Sequence, residues 1–232
     1  MTRCLGLLTI GQAPRTDVVP AMLPHVGPDV QLLQAGCLDG LDRDQIDALA
    51  PGPDDYVLTT RLADGTSVVI GRRPVEAILP RKVQELAARG AAAVALLCTG
   101  ELSAAAAAAA SAASGVPLLH PDRVLAQTVA AVLEPGATLG VLTPLPGQVE
   151  QTRGKWAPIV AGAPLLVEAA TPYGPPEGVE EAARRLRSGA PSLVVMDCIG
   201  YLPSMKSVVR DTVGCPVVLA NTMLARVLAE LA

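Results

Sequence analysis

Two cysteines stand at the ends of matching apolar runs, Val94-Ala95-Leu96-Leu97-Cys98-Thr99-Gly100 and Leu193-Val194-Val195-Met196-Asp197-Cys198-Ile199-Gly200. A thiol at the end of a strand and just ahead of a helix loses its proton more readily, because the helix N-terminus carries partial positive charge. Only the thiolate is an effective base or nucleophile. Cys98, ahead of a helix expected from Ser103, meets that description. Two such thiols can exchange a proton on one carbon, one removing it and the other returning it to the opposite face, which is racemisation without a cofactor. The simpler alternative is that a free cysteine is often a small buried hydrophobe. The pairing weighs against it for Cys98 and Cys198 only; Cys4 and Cys215 in apolar strands and Cys37 at a loop start are expected to be structural.

The elements that position these thiols repeat. A charged helical stretch stops at Gly90 or Gly189, eight or nine residues before each cysteine, and glycine is the usual residue just past a helix end. Leu5-Gly6-Leu7-Leu8-Thr9 opens the first half and Leu139-Gly140-Val141-Leu142-Thr143 recurs in the second, each followed by turn residues that include Pro, Gly and Gln. The chain therefore reads as built twice. Strands are expected at residues 4–10, 30–33, 94–98, 117–119, 139–142, 165–170 and 215–220. Helices are expected from Thr16 or Asp17, over 42–49, 75–88, 103–113, 121–133, 148–156 and 176–187, and from Asn221 onward. Residues 56–60 and 66–70 flank Ala63-Asp64-Gly65 and read as a hairpin inserted into this alternation. Alternating strands and helices imply parallel α/β sheets, in which ligands bind at the carboxyl ends of the strands. Thr9, Cys98, Thr143 and Cys198 all fall there.

Composition narrows the partners. The 232 residues suit one large domain or two small lobes, and with no Phe, three Tyr and one Trp the core must be aliphatic. A formal charge of −4 without a long basic run removes the electrostatic footprint that nucleic acid or an anionic membrane requires. Five cysteines, an odd number with no CxxC pair, argue against both a disulfide framework and a zinc site and fit a reducing cytoplasm. The apolar stretch from Cys4 to Ile10 is too short for a signal-peptide core, and the long apolar segment at 91–119 is interrupted by Glu101 and Gly115-Val116-Pro117, so no membrane span is expected. The loop Gly11-Gln12-Ala13-Pro14 lacks nucleotide-binding glycine spacing, so no cofactor is implied.

Leu8-Thr9-Ile10-Gly11-Gln12-Ala13-Pro14-Arg15, the Cys98-Thr99-Gly100 turn and Met196-Asp197-Cys198-Ile199-Gly200-Tyr201 look like the AroM family, along the full length of the chain. That family in turn resembles the aspartate/glutamate racemase superfamily. The resemblance implies two pseudo-symmetric Rossmann-like α/β lobes with mainly parallel sheets and an active site in the interlobe cleft. In that superfamily one cysteine from each lobe flanks a carboxylate-bearing substrate, and Cys98 and Cys198 match those two positions. The residues after them depart from the superfamily's usual Asn-Thr and Thr-His, being Thr99-Gly100 and Ile199-Gly200 here. The lobes are expected at 1–116 plus 215–232 and at 117–214; a homodimer is a family-level expectation.

A buried carboxylate needs backbone amides, hydroxyls or an arginine. Thr9, Gln12, Arg15, Thr99, Gly100, Thr143, Pro144, Gly200 and Tyr201 are the candidates to line the site, and Asp197 and Glu101 are close enough in sequence to orient a thiol. Alternation along a strand aims Asp197 away from Cys198. A Cys-His hydrolase would have to use His25 or His120, and His120-Pro121 reads as a loop. The leading expectation is a cofactor-independent racemase or epimerase of a small carboxylate-bearing metabolite. The alternatives are a single-cysteine isomerase or decarboxylase of the same fold and a non-catalytic small-molecule binding protein.

Overall fold

The computed structural model describes residues 3–232. Its first unit runs through β1 (Arg3–Thr9), α1 (Val19–Val26), β2 (Val30–Gly36), a single turn of helix α2 (Arg43–Asp47), β3 (Val57–Arg61), β4 (Ser67–Gly71), α3 (Arg72–Ala88), β5 (Val94–Leu97), α4 (Ala104–Ser114) and β6 (Leu118–Leu119). The second runs through α5 (Pro121–Val132), β7 (Leu139–Thr143), α6 (Val149–Val160), β8 (Leu165–Ala169), α7 (Pro176–Ser188), β9 (Leu193–Met196), α8 (Pro203–Val213) and β10 (Val217–Leu219). A last helix, α9 (Ala220–Ala229), leaves the second unit, and its residues from Leu224 on belong to the first.

Each unit is built on a four-stranded parallel sheet, in the order β2-β1-β5-β6 and β10-β9-β7-β8. Counting only the strands of each sheet, and reading the second order from its β8 edge, both run second, first, third, fourth, so the repeat in the sequence is a repeat in topology. The strand echo has a packing cause. A methyl added at Gly6 would stand 2.9 Å from Val94 Cγ2 and 3.2 Å from Leu86 Cδ1; one at Gly140 would stand 3.1 Å from Val194 Cγ2 and 3.5 Å from Leu186 Cδ2. In both units a strand glycine lets the last turn of the following long helix press onto the sheet. The central strands β5 and β9 are buried at every position, as expected where helices cover both faces of a parallel sheet. Their cores are largely aliphatic, with Leu8, Ile10, Leu79, Leu86 and Leu96 in one and Leu142, Leu186, Val194 and Met196 in the other, and the second unit also buries Trp156 and Tyr201.

The antiparallel pair β3-β4 is present as expected and has no counterpart between β8 and α7, so it is an insertion in the first unit. Asp42 and Gln45 close a reciprocal cap on α2, and the Ser103 hydroxyl caps α4 by accepting from the Ala106 amide at 3.2 Å.

Three expectations are corrected. The helix expected from Thr16 or Asp17 begins at Val19, because the Asp17 carboxylate is bound by Arg15 and is not spent on a cap. The segment after Cys198 holds the helix α8, which went unread; its signal is Pro203 in the first turn, where a missing N–H costs nothing. The boundaries also move. Leu118 pairs with Val94, so residues 117–121 stay in the first unit. Val217 pairs with Val194, so residues 215–223 stay in the second, and only 224–232 return. The last strand accordingly starts at Val217 and not at Cys215.

Candidate active site

In both units the thiol follows the buried third strand and turns back on its own backbone. The Gly100 N–H donates to Cys98 Sγ at 3.3 Å, and the Gly200 N–H donates to Cys198 Sγ at 3.4 Å. An amide donor aimed at sulfur supports negative charge there. Cys98 and Cys198 keep 9% and 8% of their surface exposed, so both are close to fully enclosed. Each glycine is required by a close neighbour. A methyl on Gly100 would collide with Leu58 Cδ2 of β3 and lie 3.5 Å from Tyr56 Cε1; a methyl on Gly200 would lie 2.5 Å from Tyr173 Oη. Each thiol turn therefore carries a half-buried tyrosine on its glycine, Tyr56 in the first unit and Tyr173 in the second.

The surroundings then diverge. Beside the first turn, the Arg72 amide donates to Tyr56 O at 3.0 Å, its guanidinium lies 5.1 Å from the centroid of the Tyr56 ring, and its Nη1 reaches Glu101 O at 3.4 Å. Glu76 sits 3.5 Å from Arg72 Nε and also accepts from the Ser103 amide at 2.6 Å and from its hydroxyl at 3.1 Å, tying the start of α4 to α3. Thr99, next to the thiol in sequence, is buried.

Beside the second turn stands Asp197, which is buried. Lys155 Nζ lies 2.8 Å from both of its oxygens, and Trp156 Nε1 donates to Oδ2 at 2.8 Å. Tyr201 is fully buried, its hydroxyl donates to Ala170 O at 2.5 Å, and its carbonyl accepts from Asn221 Nδ2 at 2.7 Å. Burial, with Cys198 and Asp197 nearby, pushes the Tyr201 phenol well above its ordinary pKa, so it remains a neutral donor. Tyr201 thus braces the turn from behind.

The residues at the ends of the first strands prove to be internally committed. Thr9 Oγ1 accepts from the Gly11 amide at 3.2 Å and from Arg15 Nη1 at 3.1 Å. Arg15, a candidate to bind the carboxylate, is 3% exposed and grips Asp17 with two bonds of 2.8 Å. Burial alone would raise the Asp17 carboxyl, but the hydrogen bond and charge of Arg15 outweigh it and hold the group below its ordinary value. Gln12 spends its amide on Leu38 O at 3.3 Å and on the Ala63 N–H at 2.9 Å, fastening the hairpin turn. Thr143 Oγ1 accepts from Thr152 Oγ1 at 2.9 Å, and Pro144 is buried behind it. Sequence reading missed Tyr56, Tyr173, Arg72 and Lys155. The first and third bear on the Cys98 turn only through the inserted hairpin, whose docking no local pattern encodes. Among the described residues, no group of three or more His, Cys, Asp or Glu side chains is placed to hold a metal ion, and no helix is long and apolar enough to cross a membrane.

This architecture is that of known racemase-like folds. Unliganded arylmalonate decarboxylase superposes with a TM-score of 0.65 at 14% identity, over 99% of this chain and 92% of that one. Glutamate racemase from Francisella tularensis subsp. tularensis SCHU S4, solved with D-glutamate, gives 0.63 at 11% identity, over 99% and 81%. The maleate isomerase Iso from Pseudomonas putida S16 gives 0.61 at 10% identity, over 96% and 90%. No curated relative matches by sequence. The AroM protein family matches residues 5–232, and the chain belongs to that family.

Proposed function

We propose that this protein is a cofactor-independent isomerase, a racemase or epimerase of a small carboxylate-bearing compound, with Cys98 and Cys198 as its acid/base pair. The observation that carries this reading is the repetition of one device. The same strand of two topologically equal sheets ends in a thiol that receives an N–H from the glycine two residues on. One thiolate takes the proton from the carbon next to the carboxylate, and the other thiol gives its proton to the opposite face, so the pair ends with as many protons as it began. Thr99, Gly100 and Gly200 are the groups nearest each sulfur in sequence that can meet the substrate. Thr9, Arg15, Thr143 and Tyr201 hold the loops and turns that carry it. The fold neighbours include a glutamate racemase, a maleate isomerase and a decarboxylase, chemistry compatible with this pair.

A second reading uses one thiol only, as proton donor or nucleophile. The unlike surroundings of the two turns favour it: Asp197 precedes one cysteine and Leu97 the other. The test is incubation of the purified protein in deuterated water with a panel of amino acids, hydantoins and small di-acids, following each alpha proton by NMR. Exchange that disappears in both Cys98→Ser and Cys198→Ser supports the two-base pair. Full activity in either variant overturns it in favour of the single-thiol mechanism, and no exchange with any compound removes proton transfer altogether.

A further inference from the structure

Two arginines in the first unit lie near strand ends that could receive a carboxylate, and they differ in how much of their hydrogen-bonding capacity is used. Arg15 is 3% exposed and makes three bonds of 2.8, 2.8 and 3.1 Å, two of them to its own carboxylate partner, Asp17. An incoming carboxylate would have to displace Asp17 to reach it. Arg72 is 29% exposed, and its two polar contacts are long, 3.4 Å to Glu101 O and 3.5 Å to Glu76 Oε1. A guanidinium has five donors in a planar fork shaped for carboxylate. Glu76, the only carboxylate in ion-pair range of Arg72 among the described residues, already holds the Ser103 amide at 2.6 Å and hydroxyl at 3.1 Å.

Position matters as much as capacity. The Arg72 guanidinium is 5.1 Å from the centre of the Tyr56 ring. Carbon Cε1 of that ring is 3.5 Å from the point where a Gly100 methyl would stand, and Cys98 Sγ is 3.4 Å from the same point. The guanidinium lies over the ring, and the backbone bond from Arg72 N to Tyr56 O ties Arg72 to the same residue. A guanidinium with donors to spare therefore stands one tyrosine ring away from the thiol.

We propose that Arg72, held on Tyr56, is the residue that binds the carboxylate of the molecule presented to Cys98. The inference rests on the reading of Cys98 as a thiol that meets substrate, and it assigns the anionic specificity of the site to the inserted hairpin and the start of α3.

The test compares iodoacetate with iodoacetamide, two alkylating agents of nearly equal size that differ in carrying a carboxylate or an amide. In either reaction the Cys98 thiolate forms a carbon–sulfur bond and iodide leaves. Rates are read residue by residue by peptide mass spectrometry on the full chain. The half-buried Cys215 serves as internal reference, and Cys37, whose thiol burial pushes up to about 12, serves as a marker of unfolding. In the wild type, Cys98 is expected to favour iodoacetate relative to Cys215. Arg72→Gln is expected to lower that preference about tenfold, the loss of roughly one charge-assisted hydrogen bond, read as the ratio of the iodoacetate to the iodoacetamide rate at Cys98 so that a change in thiol reactivity common to both reagents cancels. Arg72→Lys should retain part of the preference, because the charge remains while the fork is lost. An equal preference in wild type and Arg72→Gln, or a Cys98 inert to both reagents, overturns the inference. Should Arg72→Gln expose Cys37, the wild type alone decides. Malonate must then slow iodoacetamide at Cys98 while malonamide does not, and equal effects of the two sink the proposal. Because alkylation requires no turnover, a failure here is separable from a failure of proton exchange in deuterated water.

Discussion

The Cys98 and Cys198 turns are the same backbone solution in two different settings. Each has an entirely buried strand, a thiol, a glycine amide returned to sulfur and a tyrosine laid on that glycine. Around Cys198 the flanking polar groups bind partners in the second unit: Asp197 binds Lys155 and Trp156, and Tyr201 binds Ala170 and Asn221. Around Cys98 the neighbours come from an insertion, the β3-β4 hairpin and the first turn of α3, and the cation they bring is only loosely held. The difference teaches that a repeated scaffold can keep its chemical group constant while leaving rigidity to one copy and polar reach to the other. Adding an element is how the first copy changed its surroundings without disturbing the strand that bears the thiol.

The firmest way to break the comparison is to remove the charge that only the second turn carries. The side chains of Lys155 and Asp197 are 6% and 4% exposed, and deleting one partner of such a buried pair leaves the other charge uncompensated, at a cost of about 3–5 kcal/mol. Lys155→Met is therefore expected to lower the unfolding free energy by that amount in a urea titration. The double variant Lys155→Met with Asp197→Leu should recover much of the loss, leaving about 1–3 kcal/mol for the unpaired Trp156 N–H. A single variant as stable as the wild type would show that the second turn does not depend on its ion pair. The contrast between the two settings would then fail.

The pair that holds the first-strand loop gives a smaller effect with a distinct pH signature. The native pKa of Asp17 lies below its ordinary value, so the unfolded chain takes up this proton first as pH falls. The contribution of Asp17 is full above the unfolded carboxylate value of about 3.9 and is lost below it, as pH drops through the depressed native value. Asp17→Asn should flatten the acid limb of a stability-versus-pH curve below about pH 4 and lower stability at neutral pH by less than Lys155→Met does, since Asp17 is 23% exposed. An acid limb identical to the wild type would mean that Arg15 and Asp17 are not coupled in solution.

The repeat, the hairpin and the parallel sheets were legible in the sequence because each has a local signature: the strand echo with its glycine, the Asp64-Gly65 turn, and the alternation of apolar runs with charged helices. The two thiols were legible because they close those runs. The partners of the polar candidates were not, since Arg15, Gln12 and Tyr201 are of the right type at the right sheet edge and their contacts are not written in the local pattern. Asp17 binds Arg15 two positions away, but Gln12 is fastened to Leu38 and Ala63, and Tyr201 to Ala170, by contacts distant in sequence. Tyr56 and Arg72 were passed over for the converse reason: they reach the Cys98 turn through tertiary packing of an insertion.

The least costly place to sharpen the comparison is the helix end ahead of each thiol strand. In the first unit Gly90 takes the left-handed position after α3, with φ of 94°. In the second the glycine comes one residue early: Gly189 has φ of −94°, and the left-handed position falls on Ala190, with φ of 49°. Gly189 cannot be exchanged to correct this, because a methyl there would meet Leu166 Cδ1 at 2.5 Å. The left-handed region costs an L-residue roughly 1–2 kcal/mol, against about 0.5–1 kcal/mol for the extra chain entropy of glycine. Ala190→Gly is therefore expected to stabilise the protein by up to about 1 kcal/mol, while Gly90→Ala, where no neighbour lies within 4 Å of the added methyl, should destabilise it by a similar amount. Opposite signs in paired denaturant titrations would establish that the two run-ups share one backbone and differ only in which residue bears its strain. Like signs would mean that the two helix ends are not equivalent, and the repeat would then extend only from the strands to the thiols.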